Sequence, residues 1–124
     1  MKAYTDIEQS RKLAEILPPE SADMHWQYIE EDNGQLQWFC FSKDFSINQH
    51  NTISAWSLAA LLDVIPKHIK EYNVLRIDIG ENAFAIWYDE IGYGVNAELP
   101  NIEMQEPVDC CVEMILKLKE KNQI

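Results

Sequence analysis

The chain has 124 residues, 47% of them hydrophobic, and a formal net charge of −11. The length suits one domain, and an apolar content that includes four Trp, five Tyr and four Phe excludes disorder over most of it. The charge excludes direct nucleic-acid binding, which draws on Lys and Arg to neutralise phosphates.

No apolar run approaches the roughly 18 residues of a membrane span. The opening MKAYTD is not followed by an apolar stretch of the kind a secretory signal needs, so the cytoplasm is the expected compartment.

Thr5-Asp6-Ile7-Glu8 has the form of a capping box and predicts a helix from residue 5 to about 17. Leu13, Ala14 and Leu17 supply its inner face, Glu8 and Lys12 pair on its outside, and Pro18-Pro19 ends it. Two alternating runs follow. Met24, Trp26 and Tyr28 share one strand face, and Leu36, Trp38 and Cys40 share another, with Phe39 and Phe41 on the opposite side. Asn33-Gly34 between them predicts a hairpin with a type I′ turn.

Residues 42–52 are polar and without period, and are expected to form a loop. The next stretch predicts a buried helix. Leu58, Leu61, Leu62 and Ile65 recur at helical spacing, while Trp56, Ala59, Ala60 and Val64 fill most of the remaining circumference. Ser54 is placed to cap its start and Pro66 to stop it. Residues 67–72 read as a short turn or a broken extension of that helix.

A second hairpin is expected next, with strands at 74–79 and 83–88 around Gly80-Glu81-Asn82 and a third strand at 93–99. Residues 100–106 read as a loop. Pro107 suits the first position of a last helix, whose apolar stripe is Val108, Cys111, Val112, Ile115 and Leu116. The expected order is α–β–β–α–β–β–(β)–α: an α+β single domain with an antiparallel sheet of four or five strands and helices packed on one face.

Acidic charge is concentrated rather than spread. Residues 77–116 hold nine acids and no Lys, Arg or His, and residues 13–42 hold six acids against His25 alone. Such a surface is either simply solubilising or fitted to a basic protein partner.

Chemistry is sparse. Cys110 and Cys111 are adjacent, too close in sequence for an unstrained bond, and with Cys40 they read as buried thiols. His25, His50 and His68 lack zinc-ligand spacing apart from His68 with Glu71, so no metal or cofactor is expected. The glycines sit at turns and form no phosphate-binding loop, and acid pairs such as Glu30-Glu31 and Asp89-Glu90 fall at hairpin ends.

The aromatic residues are the better indicator. Phe39 and Phe41, joined by Trp87 from the second hairpin, would make an apolar sheet face rimmed by acids, which marks a binding surface or a homo-oligomer interface unless the 42–52 loop covers it. The alternative is a small-ligand or enzymatic site at that loop using Asp44 or His50.

Three stretches together, YTDIEQSRKLAEILP at 4–18, AWSLAALL at 55–62 and PVDCCVEMILKL at 107–118, resemble a family of small proteins encoded on phages and conjugative elements of gut bacteria. The family often has a small residue at the position of Cys110 or Cys111, and asparagine where this chain has Glu106. The resemblance implies a mobile-element accessory protein and carries over no catalytic or binding residue.

Overall fold

Asp6, not Thr5, starts the first helix. Its carboxylate accepts the Gln9 N–H at 2.8 Å while the Gln9 side chain accepts the Asp6 N–H at 3.1 Å, a capping box one residue later than expected. Thr5 is fully buried and committed elsewhere. Helix α1 runs over Ile7–Ala14, shorter than expected. The computed structural model describes residues 1–45 and 52–124. Their contacts gather into two units, Ala3–Ala60 and Met1–Lys2 with Leu61–Ile124.

In the first unit, β1 (Met24–Glu30) pairs antiparallel with β2 (Leu36–Ser42) on one side and with β3 (Thr52–Ala55) on the other, giving the order β2-β1-β3. The predicted hairpin is present, but its turn is not type I′. Only Gly34 has positive φ (82°), and the Glu31 N–H donates to the Gln35 carbonyl across a three-residue loop. That is the type I turn with a left-handed glycine, in which Asn33 keeps an ordinary conformation.

Strand β3 occupies residues read as loop and cap. Ser54 lies in it opposite His25 and cannot cap the following helix. Ser57 does so instead, its hydroxyl accepting the Ala60 N–H at 3.3 Å. Asp23 in turn accepts the Ser57 N–H at 2.9 Å and its hydroxyl.

Helix α2 is accordingly short, Leu58–Val64, and Leu61 is its one fully buried residue. Ala59 is exposed, so the helix is not buried all round. Trp56 just before it and Ile65 just after it carry the remaining burial.

In the second unit the strands form a five-stranded antiparallel sheet, in keeping with the expected α+β fold and its sheet of four or five strands. The described residues of the first unit form a separate sheet of three. β4 (His68–Ile69) pairs with β5 (Asn73–Ile79), and β5 with β6 (Phe84–Glu90). The far side of β6 is shared by β7 (Gly94–Val95) and β8 (Ile102–Met104).

Residues 68–69 are thus strand rather than helix extension, and 102–104 are strand rather than loop. Both are pieces of two or three residues, too short for a period to register. Helix α3 (Pro107–Glu120) begins at its proline as predicted and packs on β6 and β8. Phe84, Ile86, Tyr88, Val108, Met114, Ile115 and Leu118 are all buried, and the Tyr88 hydroxyl donates to the Pro66 carbonyl at 2.7 Å.

Leu61→Ala removes a fully buried side chain and should cost about 2–5 kcal/mol. The urea midpoint should fall at unchanged slope; a midpoint equal to wild type would remove Leu61 from the core.

Candidate functional site

Alternation along β6 separates two faces. Phe84, Ile86 and Tyr88 point toward α3 and are buried, which leaves Ala85, Trp87 and Asp89 on the open face. Cross-strand register fills that face in rows. Asp78, Ala85 and Glu103 form the first, Arg76 and Trp87 the second, and Val74, Asp89 and Val95 the third.

Asp89 ties two rows together. Its Oδ1 accepts the Trp87 indole N–H at 2.8 Å and its Oδ2 accepts the Arg76 Nε–H at 3.2 Å. The charge of Arg76 is therefore engaged, while Asp78 and Glu103 stand exposed on either side of the small Ala85. A carboxylate on each side, a low floor between them and a half-buried indole beside them suit a Lys or Arg side chain from another molecule.

Phe39 and Phe41 lie on a different sheet from Trp87, in the first unit, so the three do not share one strand surface. They are half-buried rather than open. The Phe45 ring lies 4.9 Å from that of Phe41, and Phe39 stacks on Phe41 at 6.4 Å. Gln27, on the same face, is fully buried; it donates to the Phe45 carbonyl at 3.3 Å and hydrogen-bonds His25. Part of this face is thus covered by the residues just after β2.

A cleft of about 530 Å³ opens beside it, where His25, Lys43, Thr52 and Ser54 bring ring nitrogens, an ammonium and two hydroxyls together with Glu20. Asp44 is exposed but does not line it, and His50 lies outside the described residues. Among the described residues no group of three or more His, Cys, Asp or Glu could hold a metal ion. Nor is any described helix long and apolar enough to cross a membrane.

The cysteines are poor nucleophiles. Burial pushes Cys40 up to about 11, with the Asp23 carboxylate adding to the effect. Burial likewise raises Cys110 to about 11 and Cys111 to about 12. All three are free thiols, and the last two are fully buried.

Of the residues that complete the open face, Glu103 and Arg76 were not singled out from sequence, and Asp89, a strand residue of β6, was read only as one of an acid pair at a hairpin end. Strand β8, which carries Glu103, is three residues long, too short for its alternation to register. The Arg76–Asp89 pair depends on register and has no signature in sequence.

Alkylation of Cys40 should rise about tenfold per pH unit from pH 7 to pH 10, because a raised pKa keeps the thiol neutral until the solution approaches that value. Cys110 and Cys111 should react only on unfolding. A plateau near pH 8.5, followed by mass spectrometry, would contradict the assigned environment of Cys40. Compared with known proteins, the chain matches no family model, no curated protein and no solved structure.

Proposed function

We propose that the chain is a non-enzymatic accessory protein of a mobile element, acting in the cytoplasm, that binds a basic protein partner through its acidic surface. The observation that carries this reading is the open face of β5, β6 and β8, where Asp78 and Glu103 flank Ala85 beside Trp87. An excess of exposed carboxylates raises the local concentration of a cationic partner and accelerates encounter. The indole then offers apolar area and a π-face to the arriving Lys or Arg. Three protonated, shielded thiols fit a protein without covalent chemistry. The mobile-element part of the proposal rests on the sequence resemblance of the three helical stretches.

A second reading, a small-ligand site at the end of the 42–52 segment, is favoured by the cleft of His25, Lys43, Thr52 and Ser54. Its donors would suit an anionic small molecule, the reverse charge preference of the open face. Thermal-shift screening separates the two, since a ligand that binds only the folded chain raises its melting temperature.

The wild-type chain should retain a basic partner from host lysate at low salt and release it at high salt. Asp78→Lys with Glu103→Lys should abolish retention while leaving the melting temperature near wild type, because both side chains are exposed. Retention that ignores both ionic strength and this double variant would refute the electrostatic reading.

A further inference from the structure

Strand β2 ends the sheet β2-β1-β3, and among the described residues nothing pairs with its outer edge. The edge is Leu36-Gln37-Trp38-Phe39-Cys40-Phe41-Ser42, seven residues without a charge, a proline or a glycine. Edge strands are usually blunted by charge, proline or a bulge. This one, in a chain of net charge −11, has none of these.

Which backbone groups face outward follows from the hairpin. The Glu31 N–H donates to the Gln35 carbonyl and the Lys43 N–H to the Asp23 carbonyl, so odd-numbered residues of β2 bond inward to β1. Leu36, Trp38, Cys40 and Ser42 therefore present their N–H and C=O groups outward. Of these, the Ser42 carbonyl already accepts the Phe45 N–H at 3.1 Å.

We propose that this edge pairs antiparallel with β2 of a second copy of the chain, about a two-fold axis through Phe39. That register matches all seven residues. Trp38 and Cys40 face each other in hydrogen-bonded pairs, Leu36 and Ser42 do the same at the ends, and about six inter-copy backbone bonds form. Phe39 meets Phe39 of the second copy in a non-hydrogen-bonded pair, with Cα atoms about 4.5 Å apart and the rings in contact. Gln37 lies opposite Phe41.

No like charges are brought face to face along the seam, and the two three-stranded sheets continue as one of six. Shifting the pairing by two residues leaves outward groups unmatched at one end, so the two-fold at Phe39 is the register in which the edge is self-complementary. The two native Cys40 residues are then about 8–9 Å apart, beyond the reach of a disulfide.

Sedimentation equilibrium on the wild-type chain should show a reversible dimer that salt strengthens, since salt screens repulsion between two copies of net charge −11. This is opposite to the salt response expected for the basic partner, so the two proposals stand or fall separately. Phe39→Lys should weaken the dimer roughly tenfold by replacing an aromatic pair with two facing ammonium groups, and mixing it with Phe39→Glu should restore association.

Should Phe39→Lys prove unfolded by circular dichroism, cross-linking decides. In a Cys40→Ser background, Phe39→Cys should oxidise to a covalent dimer on a non-reducing gel and Gln37→Cys should not. A chain that stays monomeric to roughly millimolar concentration overturns the proposal. So does a dimer indifferent to Phe39→Lys, cross-linking through Gln37→Cys in place of Phe39→Cys, or an edge found occupied by a segment of a different protein.

Discussion

The first unit depends on a buried threonine. Thr5 donates its N–H to the Trp56 carbonyl at 2.9 Å, accepts the Trp56 N–H on its hydroxyl at 3.1 Å, and shares a hydroxyl contact with Ser10 at 2.7 Å. Its carbonyl accepts the Trp26 indole N–H at 3.0 Å. Thr5, Ser10 and Trp56 are all fully buried, so each polar group must find its partner inside the protein. A single residue thereby fixes the chain before α1, the middle of β1 and the junction between β3 and α2. The Trp56 indole extends the network by donating to the Ser21 hydroxyl at 2.9 Å.

Because Thr5 is used in this way it cannot cap a helix, and the capping role falls to Asp6. The sequence pattern alone favours Thr5, since Thr-x-x-Glu is the stronger local signature. Tertiary demand overrides it. The same competition moves the α2 cap from Ser54 to Ser57, because Ser54 has a place in the β1–β3 ladder and Ser57 is held by Asp23. The long elements were legible because periodicity identifies them: both hairpins and the helix at Pro107 follow from alternation, turn glycines and a proline at the first helical position. The short strands β4, β7 and β8 were not, since their pairing is decided by neighbours distant in sequence.

The acidic surface divides along the same line. Its existence was legible from residues 77–116, which hold no cation. Its organisation was not, because the row of Asp78, Ala85 and Glu103 exists only once β5, β6 and β8 are in register. Trp87 lies half-buried on the face of β6 opposite Phe84, Ile86 and Tyr88, but grouping it with Phe39 and Phe41 assumed one sheet. Two sheets form, and each aromatic cluster acquires its own neighbours: Arg76 and Asp89 around Trp87, His25 and Phe45 around Phe41.

The three-residue turn at Gly34 also sets a timetable. The β1–β2 hairpin is closed entirely by local contacts and can form within microseconds of leaving the ribosome. Strand β3, which must seal the other side of β1, and Trp56, which completes the Thr5 network, lie at residues 52–56. At ordinary rates of synthesis the hairpin waits on the order of a second for them. During that interval β1 is open on its far side and the aromatic rows of both strands are uncovered, so this part of the nascent chain is most adhesive before residues 52–56 emerge.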